Sequence, residues 1–318
     1  MASKNKPNEL HLTRIYDAPV KAVWDAWTDP VQVAKWWGPR GFTITHHSKD
    51  LRAGGHWKYT MHGPDGTNWE NTTKYLEVEK YSRLVYDHGG GDDRPPLFRV
   101  TVTFNEQKGK TRMEMTMALP NAEAMQETKK RIKQANGNST WDRLSEYLTK
   151  ESSGKEKFVI NRSFEVSLET MFEMWTNPDH FSKWLPPTGF TMTFVRCEMK
   201  AGGSTFYYMT PEGGGPKMWG RTQYIEITRP NRLVYTQQFC DEKENITRHP
   251  MAPTWPENML TVITLSEEGP DQTRITVEWE PYGTYTSEEM DTFIKAKSGM
   301  TQGWTGSFDK LEDYITKK

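Results

Sequence analysis

The hydrophobic pattern of this chain changes period several times, and the whole series of changes occurs twice. In the first half a strand-like run from Leu10 to Tyr16 gives way to Val20, Val23, Trp24 and Trp27, which fall on one helical face. Asp29-Pro30 then supplies the cap and first-turn proline of a second short helix ending near Trp36. From Phe42 the period is two, with Phe42, Ile44 and His46 alternating with Thr43, Thr45 and His47 as in a strand with one covered face. Trp57, Tyr59 and Met61 share one side of the next strand. Further strands are predicted over Thr73 to Val78, Leu84 to Tyr86, Phe98 to Phe104 and Thr111 to Met117, the last setting Met113, Met115 and Met117 against Arg112, Glu114 and Thr116. A helical pattern carrying Met125, Ile132, Leu144 and Leu148 closes the half, with a break predicted at Asn136-Gly137-Asn138.

The second half repeats these elements with their local motifs. Trp27-Thr28-Asp29-Pro30 recurs as Trp175-Thr176-Asn177-Pro178, Lys35-Trp36 as Lys183-Trp184, Gly41-Phe42-Thr43 as Gly189-Phe190-Thr191, and Ala53-Gly54-Gly55 as Ala201-Gly202-Gly203, all at an offset of 148. Arg83-Leu84-Val85-Tyr86 matches Arg232-Leu233-Val234-Tyr235 at 149, and Trp141-Asp142-Arg143-Leu144 matches Phe308-Asp309-Lys310-Leu311 at 167. The drift places insertions in loops. Units this long are whole domains rather than solenoid repeats, and the expected boundaries are 1–152 and 153–318, with Lys150 to Lys155 as linker. The closing helix of the second half is the clearer one, since Met290, Phe293, Met300, Trp304, Phe308, Leu311 and Ile315 keep one face and Ser287 suits its start. The predicted class is α+β: in each half a curved antiparallel sheet, apolar on one face, is covered by a long C-terminal helix, with two short helices after the first strand. Where curvature exceeds what the helix fills, a cavity remains.

Composition narrows the partners. With 41 Lys+Arg against 42 Asp+Glu and a net charge of -1, the chain has no global field to draw it onto nucleic acid. Two cysteines in 318 residues, Cys197 and Cys240, form no disulfide framework and point to a reducing, cytoplasmic setting. The polar opening from Met1 to Thr13 lacks the apolar core of a secretory signal. No apolar run approaches the roughly 18 residues of a membrane span.

The ordered motifs, Trp-Thr-Asp/Asn-Pro, Lys-Trp, Gly-Phe-Thr, Ala-Gly-Gly, Pro-Asp/Glu-Gly and Arg-Leu-Val-Tyr, resemble those of the homologues of the activator of the heat-shock-protein-90 ATPase, once in each half. That family sits in the START-like, SRPBCC superfamily. The resemblance implies two tandem helix-grip domains, each with a hydrophobic tunnel between a sheet of about seven strands and the closing helix. It implies binding of a small hydrophobic or aromatic ligand, with a polyketide cyclase or dehydratase activity as the alternative. A chaperone partner is the lesser expectation, because Asn68-Trp69-Glu70 is too short to match the Asn/Trp-rich motif of the co-chaperone members.

The chemistry-bearing residues fit a binding pocket better than a catalytic constellation. Thirteen each of Trp, Tyr and Phe offer apolar walls with polar handles. The candidate ligand-binding residues are Trp36, Trp37, Phe42, Trp57, Tyr59, Met61, Trp69, Tyr75 and Tyr86 in the first half, and Trp184, Phe190, Tyr207, Met209, Trp219, Tyr224, Tyr235, Met300 and Trp304 in the second. The same rings could equally be core packing, the role expected of Trp27 and Trp175. His46, His47, His56 and His62 cluster in sequence, yet neighbours on a strand point to opposite faces and no carboxylate or cysteine stands at ligand spacing, so no metal is expected. Glu70, Tyr75, Arg99, Arg221 and Tyr224 are the polar groups nearest the apolar face, while Glu114 and Glu278 face away from it. Gly89-Gly90-Gly91 and Gly213-Gly214-Gly215 lack the Lys-Ser/Thr of a phosphate cradle, and no cofactor is expected.

Overall fold

The first corner of each half is set by one side chain. In the computed structural model, which describes residues 6–90, 94–134 and 138–317, Asp29 accepts hydrogen bonds from the backbone N–H groups of Val31 and Gln32, and Asn177 from that of Asp179. Each ends one short helix and caps the next, α1 (Val20–Thr28) and α2 (Pro30–Trp36), then α5 (Leu168–Thr176) and α6 (Pro178–Trp184), with proline at the first helical position of α2 and α6. The tight corner brings Trp36 under α1, where its indole N–H donates to the Ala26 carbonyl at 3.0 Å. Trp184 does the same to Met174 at 2.9 Å.

Around these helices runs a meander closed by the first strand. The strands of the first unit are β1 (Glu9–Tyr16), β2 (Thr43–Lys49), β3 (His56–His62), β4 (Asn68–Glu79), β5 (Arg83–His88), β6 (Phe98–Gln107) and β7 (Lys110–Ala118). They form an antiparallel sheet in the order β1-β7-β6-β5-β4-β3-β2. The second unit repeats it with β8 (Phe158–Phe164), β9 (Phe190–Cys197), β10 (Ser204–Pro211), β11 (Met218–Thr228), β12 (Arg232–Cys240), β13 (Met259–Gly269) and β14 (Gln272–Pro281), ordered β8-β14-β13-β12-β11-β10-β9. Helix α4 (Ser139–Ser153) lies in the first grip, burying Leu144, Tyr147 and Leu148, and α8 (Lys297–Thr316) in the second, burying Trp304, Phe308 and Leu311. The architecture is α+β, two tandem helix-grip domains, and the chain divides into compact units at Met1–Lys155 and Glu156–Lys318.

Several expectations are corrected by the structure or fall outside the described residues. The first closing pattern is two helices, α3 (Ala122–Gln134) and α4, and α3 buries no residue, so Met125 and Ile132 do not belong to the gripped face. The second pattern is also divided, into α7 (Ser287–Lys295) and α8. The true cap of α7 is Thr286, which forms a capping box with Glu289. The stretch expected as linker opens as the last turn of α4, which ends on Gly154 in the left-handed region (φ 72°), its N–H bonded to the Lys150 carbonyl. Met1 to Asn5 of the polar opening, Gly91 of the triple-glycine loop, and Asn136-Gly137 of the predicted break lie outside the described residues.

Candidate functional site

Inside the first unit the predicted rings pack on one another. Trp37 contacts Trp27, Trp36, Trp57 and Trp141 with ring centroids 5.2–6.1 Å apart, and its indole donates to the Tyr59 hydroxyl at 3.2 Å. Trp57 stacks on Tyr59 at 4.2 Å, and Tyr75 meets Tyr86 edge-on at 6.2 Å. Trp36, Trp57, Tyr59, Tyr75 and Tyr86 are all buried, and burial drives the Tyr59 hydroxyl up to about 12. Met61 packs half-buried against this core, and Phe42 and Trp69 pair with each other at the mouth of the grip. Their ring centroids lie 5.7 Å apart, and Trp69 is 43% exposed.

The second unit leaves space at that same mouth. A cleft of about 120 Å³ opens between β10, β11, β12 and the loop 241–258, lined by Tyr207, Met209, Met218, Trp219, Gly220, Gln237, Gln238, Phe239, Trp255, Pro256, Glu257 and Met259, with the Trp219 ring packed on Phe206 and Tyr208. Strand alternation accounts for most of the lining: Tyr207 pairs with Gly220, Met209 with Met218, and Gly220 with Phe239. Gly220 is required there, because a Cβ at this position would fall 2.6 Å from the Tyr207 ring. The loop supplies the remaining wall. Its start folds back on β12 through the Thr247 N–H to the Phe239 carbonyl, and Glu244 pairs with Arg196 at 2.6 Å. Its end is tied to α7: Arg248 bonds Glu289 and, at 3.3 Å, the Trp255 carbonyl, and Thr254 bonds Thr292 at 2.8 Å. Trp255 thereby packs 6.0 Å from Phe293.

Of the second-half candidates, the structure gathers Tyr207, Met209 and Trp219 around this cleft. Trp184, Tyr224, Tyr235 and Trp304 are buried in the core, where Trp304 stacks on Trp175 at 6.1 Å, and Phe190 and Met300 pack against that core. Sequence reasoning passes over Met218, Gln237, Phe239, Trp255, Glu257 and Met259. One signal was available. The matched motifs drift from 149 at Tyr86/Tyr235 to 162 at Met113/Ile275, so added residues must lie between them. Register places them: Tyr86 pairs with Val100, 14 residues on, and Tyr235 with Thr261, 26 residues on, which makes the second connection 12 residues longer.

Chemically the cleft offers ring faces, thioethers, amides and one carboxylate. Burial pushes the Tyr207 hydroxyl up to about 12, so it keeps its proton at neutral pH and can donate a hydrogen bond. The first-half histidines lie elsewhere: His62 bridges Thr45 and Asn68, and His47 contacts the Thr60 hydroxyl at 2.7 Å, which in turn donates to Glu70. Among the described residues no three His, Cys, Asp or Glu side chains converge as a metal site. No helix among them is long and apolar enough to cross a membrane.

The tandem arrangement is matched at the level of the protein family. The family described as Activator of Hsp90 ATPase homolog 1-like protein matches residues 17–149 and again 165–316. The chain belongs to that family. No curated protein sequence matches it. Among solved structures, a protein of Nitrosomonas europaea is 24% identical over 47% of this chain and 99% of its own, with a TM-score of 0.43. One from Mycobacterium smegmatis is 28% identical over 46% and 93%, with a TM-score of 0.41. The di-domain ARO/CYC BexL of the BE-7585A biosynthetic pathway is aligned over 96% of this chain and 98% of its own, at 11% identity and a TM-score of 0.38. In this chain the first unit packs its candidate rings on one another, and the second carries an open cleft.

Proposed function

We propose that this family member binds a small apolar or aromatic molecule, with the cleft of the second unit as the working site. The observation that carries the reading is the cleft itself: about 120 Å³ walled by Tyr207, Met209, Met218, Phe239, Trp255 and Met259, and roofed by the β12–β13 connection, which between paired positions is 12 residues longer than its first-unit counterpart. That volume compares with the roughly 150 Å³ apolar cavity known to take up benzene, so the occupant is a single ring or a compact branched group. The Tyr207 hydroxyl and the Gln237 amide provide the few polar contacts that orient a ligand in such a site.

Three methionines on the wall make the test direct. With ¹³C-methyl methionine in the full chain, titration with phenol is expected to move the Met209, Met218 and Met259 signals. At phenol one hundred times above Kd, the second unit gains about 2.7 kcal/mol of stability. Met218→Trp installs the residue that the first unit has at the matching position, Trp69, and is expected to abolish both effects. Methyl signals that stay fixed at millimolar phenol would overturn the proposal.

A further inference from the structure

Building on the binding reading above, we infer that the occupant of the second-unit cleft carries a compact ammonium head, held against the rings of Tyr207, Phe239 and Trp255 with Glu257 as its counter-charge. The three rings come from three separate segments, β10, β12 and the inserted loop, and border one small space. Ring faces carry the negative lobe of the aromatic quadrupole, which attracts a cation most strongly where water is partly excluded. The thioethers of Met209, Met218 and Met259 complete a soft, polarizable wall that suits methyl-bearing groups.

Charge selects among the ligands that would fit. Glu257 is the one carboxylate on the lining, which holds no Lys, Arg or His. Its nearest guanidinium, Arg248, stands 4.0 Å away and is already bonded to Glu289 and to the Trp255 carbonyl. Glu257 and Glu289 thus share Arg248, while Lys217, beside Met218, lies over the rings of Tyr208 and Trp219. An anionic ligand would meet Glu257, whose neighbouring guanidinium is already bonded to Glu289, and a neutral ring would leave that carboxylate with Arg248, 4.0 Å away, as its ion-pair partner. An ammonium satisfies both the rings and the carboxylate. Glu257 is 48% exposed, so solvent screens the pair and the preference is moderate rather than absolute.

Choline and its neutral carbon isostere 3,3-dimethylbutan-1-ol separate the inference from the reading beneath it. In the full chain, followed at the Met209, Met218 and Met259 methyls, choline is expected to bind about tenfold more tightly than the alcohol. Glu257→Gln keeps the size of the side chain while removing its charge, and it is expected to bring the two affinities within about twofold. Equal binding to the parent chain overturns the ammonium inference and leaves the apolar site standing. A choline preference that survives Glu257→Gln overturns the role of Glu257. Binding of neither probe overturns the inference together with the reading it rests on.

Discussion

Trp37, Trp57 and Trp141 of the first unit occupy positions that Leu185, Thr205 and Phe308 hold in the second. The smaller residues do not leave the second grip hollow at that end, because Trp304, one helical turn before Phe308, stacks on Trp175 as Trp141 stacks on Trp27. The interplanar angles are 14° and 22°, so the same stack is built from different turns of the closing helix. The difference that remains is at the mouth. There the first unit has Trp69, Asn71, His88 and Phe98 at the register positions of Met218, Gly220, Gln237 and Met259. These side chains are bulkier, and His88 stacks on Phe98 at 4.7 Å with burial pulling its pKa down to about 4. A duplicated frame therefore keeps its backbone corners and buried indoles while ring volume moves between helix, strand and loop.

If the frames are equivalent, their hinges should be equally costly to remove. Trp36 and Trp184 are fully buried and make the same indole bond across the corner. Trp36→Ala and Trp184→Ala are each expected to destabilise their own unit by about 3–5 kcal/mol, read by hydrogen exchange on peptides from that unit. Costs differing by much more than about 1 kcal/mol would break the equivalence, given the usual spread of such substitutions.

A smaller effect should distinguish the units. Arg143 on α4 donates to the carbonyls of Gly38, Pro39 and Phe42 at 2.8, 3.0 and 3.0 Å, gathering the turn between α2 and β2. Lys310, its counterpart on α8, donates to Pro186 alone among the matching carbonyls, at 2.9 Å. Arg143→Met strands several carbonyls and is expected to cost about 2–3 kcal/mol, against about 1 kcal/mol for Lys310→Met. Urea midpoints of the two variants check the ratio. Equal losses would mean that one of the three carbonyl bonds does the holding.

The frame was legible because its determinants are local. Asp29-Pro30 and Asn177-Pro178 declare a cap and a first turn within two residues, and the alternation of Met113, Met115 and Met117 reports a covered face wherever that face points. The cleft was less so, since Trp255, Pro256 and Glu257 sit in an insertion that self-comparison cannot align. A helix's docking was also hidden: Met125 and Ile132 have helical spacing, yet α3 lies beside β1 and leaves both only half-buried. Bulges hide the most. Strict alternation from His46 would turn Lys49 outward. The extra residue His47 in β2 and Val195 in β9 reverses the phase, so that Lys49 faces Trp57 and Cys197 faces Thr205.

Those two reversed residues carry the most selective comparison, because their protons respond to pH with opposite sign. The Lys49 amine donates to the Trp27 carbonyl at 2.9 Å and lies 4.3 Å over the Trp57 ring, and burial lowers its pKa to about 7, only partly opposed by Asp29. His46 on the same strand is lowered too, by burial first and then by the charges of Lys49 and His47. Between about 7 and the ordinary 10.5 the unfolded lysine holds a proton that the native one lacks, so the first unit gains stability as pH rises through that window. Cys197 does the reverse. Burial raises its thiol from 9.0 to about 11, the native state keeps a proton that the unfolded chain loses, and the second unit loses stability as pH climbs between those values. For Lys49 the slope cannot exceed about 1.4 kcal/mol per pH unit, and partial solvent contact brings the expected gain nearer 1–2 kcal/mol from pH 7 to 9. Urea midpoints read at the fully buried Met113 and Met171 methyls report each unit separately. The Met113 midpoint should rise over pH 7–9 and become flat in Lys49→Met, whereas the Met171 midpoint should fall above pH 9 and do so less in Cys197→Ala. A Met113 midpoint already flat in the parent chain would mean that Lys49 keeps its proton in the fold, and the bulge would then turn a solvated cation rather than a neutral amine against Trp57.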